Sequence, residues 1–256
     1  MKFYLVIFLI LFSCSQNVSL SLQENVQQRF ENGKLYFKEK KYNRAKEEFE
    51  FVVMNNPGSI IALDSRFFLG DIFFELEEYN QSIIEFDRFA RFSQNPKRVE
   101  EARFKICISS MKMSYAFSKD QYNTLEAMNR LQEFIEDYPN SNFIFEASSM
   151  ILNARNRLAK KELEASRLYL KLQEYDAALI YLNNVLLTYY DTEISDEIRL
   201  TIVFTFLLSN QKELAINFLK DEELKFKSAD KLAESYTLVD KFDKGFGISN
   251  FFRLYK

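Results

Sequence analysis

The chain predicts an all-α fold, a right-handed solenoid of about five helix pairs closed by a short C-terminal extension. Three observations predict it. In the run from Gly33 to Pro57, small and large residues alternate as two antiparallel helices require. Gly33 and Ala45 let the backbones approach, Tyr36 and Phe49 fill the space left, and Tyr42-Asn43 mark the turn. Pro57, with no amide to donate, closes the second helix. The pattern then recurs: Gly70, Phe73, Tyr79-Asn80 and Phe86 stand 37 residues after Gly33, Tyr36, Tyr42-Asn43 and Phe49. Finally, only 5 glycines and 3 prolines interrupt 256 residues, which suits helices joined by short connections.

A helix–turn–helix unit of about 34 residues that cannot bury its apolar face alone is the tetratricopeptide repeat. In chain order, the first pair is expected at about Leu22–Glu39 and Asn43–Asn55. Pro57-Gly58-Ser59 then forms a turn in which Ser59 can cap the next helix. The second pair is Ile60–Leu76 and Asn80–Phe92, and the third is Arg98–Tyr115 and Tyr122–Asp137, with a long loop at Ser118–Gln121. No breaker falls between Asn142 and Leu172, so one long helix is expected there, paired with a helix from Tyr175 to about Tyr189-Tyr190. The fifth pair is Ser195–Leu208 and Lys212–Leu224, and Ala229–Val239 is a last helix capping the stack. Gly245-Phe246-Gly247 reads as a turn, and Phe251-Phe252 needs a core or a partner.

The N-terminus speaks to location. Lys2 precedes a short apolar run, Phe3 to Phe12, followed by Ser13-Cys14 and a polar stretch. That run is too short for a bilayer, which takes about 20 apolar residues, and reads as a signal peptide. Leu11-Phe12-Ser13-Cys14 resembles a relaxed bacterial lipobox, implying cleavage before Cys14 and acylation of its thiol and new amine. The alternative is an ordinary secretory signal with an incidental cysteine. The expected organisation is therefore signal peptide 1–13, lipid-anchored tether 14–22, solenoid 23–224 (halves about 23–116 and 117–224) and extension 225–256. With one other cysteine, Cys107, in an apolar helical run, no disulfide framework is expected.

Composition excludes several function classes. A net charge of -3 without basic runs argues against nucleic acid as a partner. There is no histidine, which removes the commonest general base, the Ser-His and Cys-His nucleophile pairs and most transition-metal sites. Acidic pairs such as Glu77-Glu78 and Glu222-Glu223 fall at turns or solvated faces, so no catalytic residue, metal site or cofactor is expected. What remains is surface. First helices of successive repeats would line a concave side, with Phe30, Lys34, Phe37 and Lys38 from the first repeat and Phe67, Asp71 and Phe74 from the second. Such phenylalanine rows beside lysines would suit an extended peptide with aromatic side chains and a terminal carboxylate. The other reading is that the rings pack against each other between repeats.

In the middle of the chain the residues become more specific. Ser118-Lys119-Asp120-Gln121, Ala127, Phe134, Tyr138-Pro139-Asn140-Ser141, Leu158-Ala159, Glu162, Tyr169 and Tyr175-Asp176-Ala177-Ala178 follow in register. With the lipobox and five repeats, this order resembles the BamD family, lipoproteins of the β-barrel assembly machinery, over roughly residues 14 to 224. The resemblance implies a non-enzymatic lipoprotein on the periplasmic face of the outer membrane. By likeness it would bind the POTRA region of BamA through its C-terminal repeats and unfolded β-barrel proteins through its N-terminal repeats. Accessory lipoproteins such as BamC and BamE accompany some members. Two departures touch the partner interface. Tyr181 stands where the family commonly has an arginine, and Tyr189-Tyr190-Asp191-Thr192 replaces Tyr-Pro-Asp-Thr, so the helix before it could run on. Rival readings are a pilotin-like or peptidoglycan-associated lipoprotein of the same repeat type, and an enzyme working with carboxylates alone.

Overall fold

The computed structural model describes residues 25–114 and 122–244, and all of its regular elements are helices. These are α1 (25–38), α2 (Tyr42–Asn55), α3 (Ile60–Glu75), α4 (Tyr79–Phe92), α5 (Pro96–Lys112) and α6 (Tyr122–Asp137). They continue with α7 (Ile144–Lys171), α8 (Tyr175–Thr188), α9 (Ser195–Leu208), α10 (Lys212–Glu222) and α11 (Ala229–Phe242), with a 3-10 turn at Glu223–Lys225. The signal peptide, Cys14, the tether, the loop at Ser118–Gln121 and the Gly245–Gly247 and Phe251-Phe252 segments lie outside the described residues. Two compact units emerge, residues 25–114 with 122–148, and residues 149–244.

Among the described residues one turn is built four times. Lys40, Glu77, Gln173 and Asn210 take φ of 57, 61, 61 and 59°, in the left-handed region. At each, two amides turn back on the helix: Lys40 N–H to Phe37 O (2.9 Å) and Lys41 N–H to Tyr36 O (2.9 Å) in the first, and likewise Glu77 to Phe74 (3.0 Å) and Glu78 to Phe73 (2.8 Å). Gln173 and Glu174, then Asn210 and Gln211, repeat the pair of bonds. This double closure satisfies carbonyls that a helix end leaves bare. None of the four residues is glycine, so each hairpin holds an L-residue where the backbone disfavours one.

Counting from that turn, the same positions pack in each of these four hairpins. Seven residues before it stand Gly33, Gly70, Ser166 and Val203; nine after it stand Phe49, Phe86, Leu182 and Leu219. A Cβ on Gly33 would lie 2.9 Å from the Phe49 ring, and one on Gly70 2.7 Å from Phe86. Where the small residue grows, the large one shrinks. Five residues after the turn, Ala45, Ser82, Ala178 and Ala215 are all fully buried. Ser82 is the polar exception, and its hydroxyl donates to Gly70 O (2.9 Å) and lies 3.0 Å from the Ser109 hydroxyl.

The first unit is packed with rings. Ala45, Phe49, Leu69, Ile72 and Phe73 form one core, and Phe67, Phe86, Phe89, Ala102 and Ile106 the next. The second unit is mainly aliphatic at its centre: Leu163, Leu182, Val185, Ile198 and Ile202 form one core, and Val203, Leu207, Ala215, Leu219, Leu238 and Val239 another, in which Phe204 is the one buried ring among the described residues. Leu238 and Val239 belong to α11, which thus covers the apolar face left open by the fifth hairpin. Local caps agree with the sequence. The Ser59 side chain accepts from Ala62 N–H, Asn95 from Arg98 N–H ahead of Pro96, and Ser228 from Lys231 N–H.

The fourth pair's second helix ends close to the expected Tyr189-Tyr190, and the run-on that the missing proline could allow does not occur. α8 stops at Thr188 without a proline because its last turn is held from outside. Arg155 donates to Thr188 O (2.6 Å) and grips the Asp191 carboxylate (2.6 and 2.9 Å), while the Thr192 hydroxyl donates to Tyr189 O (2.7 Å). Arginine at the helix C-terminus also suits the helix dipole.

Candidate functional site

The residues expected to form a peptide groove lie on α1 and α3, and the structure divides them. Phe30 meets Phe49 edge-on at 5.7 Å and Phe68 at 6.1 Å; Phe37 meets Tyr42 at 5.9 Å and Phe68 at 5.5 Å. Phe68, stacked on Phe49 at 4.9 Å, is therefore the ring that joins the first hairpin to the second. Phe67 is buried against Phe86 (5.4 Å) and Phe89 (4.9 Å), and Phe74 lies against Tyr79 of its own hairpin (5.6 Å). Lys34 pairs with Glu31 (2.8 Å) with its ammonium over the Phe30 ring (5.3 Å), and Lys38 is exposed.

Asp71 faces α5, where Lys105 meets its carboxylate at 2.5 Å. Burial pushes the Asp71 carboxyl up, and the Lys105 ammonium offsets that only in part. Two turns away Arg98 pairs with Asp64, so two cations of α5 bind two carboxylates of α3, each 34 residues apart. Phe67 sits between these bridges, with Arg98 4.8 Å and Lys105 5.2 Å from its ring centre. Sequence reasoning passed over Arg98, Lys105, Asp64 and Phe68. The signal was present as opposite charges repeated at one offset, whereas Phe68 was hidden among many phenylalanines.

In the second unit, Tyr181 donates its hydroxyl to the Glu162 carboxylate and lies 5.7 Å from the Tyr169 ring. Burial, and then the Glu162 carboxylate, push its hydroxyl up to about 12, so it remains a proton donor throughout the neutral range. Tyr190 projects into solvent beyond α8, whose solvent side also exposes Ile180 and Leu187. A helix apolar on more than its packed face needs another surface to cover it.

A buried ionic cluster sits nearby. Arg199, 3% exposed, pairs with Asp196 (3.1 Å) and Glu222 (3.0 Å). Asp196 also accepts the backbone amides of Lys227 (2.8 Å) and Ser228 (2.7 Å), which ties the segment before α11 to α9. Burial pushes the Glu222 carboxyl up, but hydrogen bonds from Lys225 and Arg199 more than reverse it. The hydrogen bond from Arg155 likewise holds Asp191 below its ordinary value.

These groups can hold helices and bind other chains. Burial pushes the Cys107 thiol up to about 12, which keeps it protonated, and among the described residues no three carboxylates or thiols gather as metal ligands. No helix among the described residues is long and apolar enough to cross a membrane.

Residues 22–221 match the family model YfiO, described as an outer membrane lipoprotein. Over 205 residues the chain is 23% identical to the outer membrane protein assembly factor BamD of Rickettsia prowazekii (strain Madrid E), covering 80% of this chain and 82% of that one. Solved structures of similar chains include a thermophilic tetratricopeptide-repeat protein of Thermus thermophilus, 15% identical over 83% of this chain and 97% of that one, at a TM-score of 0.34. The apo form of RapI is 13% identical over 90% and 80%, at a TM-score of 0.38.

Proposed function

Because this chain belongs to the YfiO family of outer membrane lipoproteins, we propose that it is a non-enzymatic adaptor that assists insertion of β-barrel proteins into the outer membrane. The observation that carries this reading is the family match across 22–221, joined by a relative named for outer membrane protein assembly. The chain is fastened through acylated Cys14 to the periplasmic face of the outer membrane. The second unit binds the POTRA region of BamA around Tyr181 and Tyr190; the uncovered apolar residues of α8 beside them support this assignment. The first unit meets extended segments of unfolded barrel proteins along the face that carries Phe30, Lys34, Phe37, Lys38, Phe67, Asp71 and Phe74. Since its rings also hold the hairpins together, the exposed Lys34 and Lys38 are the residues through which that face is best probed.

Depleting the protein in its own cells and measuring outer-membrane barrel proteins tests the reading. Barrel levels are expected to fall, with BamA recovered alongside the protein in affinity purification. Normal barrel levels, or recovery of a secretin in place of BamA, would overturn it in favour of a pilotin-like lipoprotein.

A further inference from the structure

The first unit has two unlike edges. Its helices alternate in direction, so the turns inside hairpins gather on one edge and the turns between hairpins on the other. The inner turns of the first two hairpins are dense in charge, with Lys38, Lys40, Lys41 and Arg44 in one and Glu75, Glu77 and Glu78 in the next. The connections between hairpins carry no charge of their own, although Arg91, Lys97, Asp137 and Glu146 flank them. Residues 51–63, 92–96 and 138–145 contain no lysine, arginine, aspartate or glutamate, and they hold all 3 prolines of the chain. Large apolar side chains stand in solvent along this second edge: Met54 is 71% exposed, Ile60 81%, Phe92 73% and Phe145 87%. A cleft of about 1000 Å³ opens there, lined by Val53, Ile60, Leu63, Phe89, Phe92 and Pro96, and by Asp64, Arg66 and Arg98, whose charges are paired, Arg98 with Asp64 and Arg66 with Glu85. Large exposed apolar side chains on charge-free connections set this edge apart from the lysine- and glutamate-rich inner turns.

The place where the chain enters says what covers this edge. α1 runs antiparallel to α2: Tyr36 lies under Arg44 (5.9 Å), Gly33 abuts Phe49, and Arg29 stacks on Phe51 (4.7 Å) and pairs with Glu48 (3.1 Å). Continued at that spacing, residue 25 lies beside Met54, on the uncharged edge. Residues 15–24, which lead there from Cys14, reach at most about 35 Å even if fully extended. We propose that the uncharged edge of the first unit, with Met54, Ile60, Phe92 and Phe145, lies in the headgroup–acyl boundary of a phospholipid bilayer. This rests on the lipid anchor of the reading above. The chemistry suits that boundary, where aromatic and aliphatic side chains enter with little charge to desolvate. The charged inner turns then face water.

The chain contains no tryptophan, so a single one is a local probe. The full-length lipidated protein carrying Phe92→Trp, and separately Lys41→Trp on the charged edge, is reconstituted into phosphatidylcholine–phosphatidylglycerol vesicles with lipids brominated near the headgroup. F92W is expected to be blue-shifted and quenched, and K41W neither. Adding Met54→Glu and Ile60→Glu to F92W should abolish the quenching while the helical circular dichroism is retained, since both positions are exposed. Equal quenching of F92W and K41W, or quenching of neither, overturns the proposal. So does an F92W blue shift that grows with protein concentration in the absence of lipid, which would assign the edge to a second copy. Intact mass reports acylation of Cys14 independently; if acylation is absent, vesicles are titrated onto the free chain and the same two emissions decide. No assembly partner is present, so failure here leaves the proposed role in barrel assembly standing.

Discussion

The first two hairpins and the last two close in the same way with different materials. In the first pair, glycine faces phenylalanine, Gly33 against Phe49 and Gly70 against Phe86, leaving no room for even one added carbon. In the last two, Ser166 stands opposite Leu182 and Val203 opposite Leu219, in cores that are mostly aliphatic. The space that a phenylalanine fills against glycine is filled in the last two hairpins by a leucine and a larger facing residue, since close packing leaves no void. The two regions also place charge differently. The first unit uses half-buried bridges on a helix face, Asp64 with Arg98 and Asp71 with Lys105. The second buries Arg199 between Asp196 and Glu222 and uses the cluster to hold the chain ahead of α11. Repeats can thus share a backbone while differing in what breaks them.

The largest effect should come from the buried cluster. Arg199→Ala leaves Asp196 without its cation in an enclosed site and Glu222 with Lys225 alone, and is expected to cost about 3–5 kcal/mol in urea unfolding. By contrast, Lys105→Ala in the first unit, with its ammonium partly in water, should cost well under half as much. Equal losses would erase the distinction between the two uses of charge.

Gly70→Ala comes next, at about 1–3 kcal/mol from overpacking. Phe86→Leu in the same chain should recover most of that loss, since it recreates the small–large balance of the fourth hairpin. Ser166→Ala, at the matching position of the second unit, should stay within about 1 kcal/mol, because its hydroxyl only turns back to Leu163 O (2.6 Å). Failure of the rescue would show that ring shape, and not volume, sets the hairpin spacing.

A smaller gain is expected at the shared turns. Lys40→Gly or Glu77→Gly relieves a left-handed L-residue and should stabilise by up to about 1 kcal/mol in thermal melts. Asn210→Gly should give less, because asparagine tolerates that conformation.

Acid should separate the two units least, but in sign. Glu222 and Asp191 have lowered folded pKa values, so their contribution is present above the ordinary carboxylate range, near 4, and is lost as pH falls through the folded values. Asp71 is raised, so its contribution is greatest below that range and is lost as pH rises through its folded value. Between about pH 7 and pH 3, Glu222→Gln should therefore lose less stability than the parent chain and Asp71→Asn more, as read by thermal melts at both pH values.

The sequence by itself determined the repeat. Gly33 and Gly70 at one offset from Phe49 and Phe86, the turns at Tyr42-Asn43 and Tyr79-Asn80, and the prolines at 57, 96 and 139 placed the helices almost to the residue, because local periodicity and breakers are written in adjacent positions. The long α7 and the last helix α11 were legible for the same reason. Tertiary structure decided everything that depends on which side chains meet across hairpins. It joined Phe30 and Phe37 through Phe68 and sent Phe67 to a different core from its repeat-mate Phe30. It also stopped α8 at Thr188 with Arg155, 33 residues away in sequence, where proline was missing. Spacing along a chain fixes which residues share a helix face. Only packing in three dimensions decides which of those faces is filled by a neighbour and which stays open for a partner or a membrane.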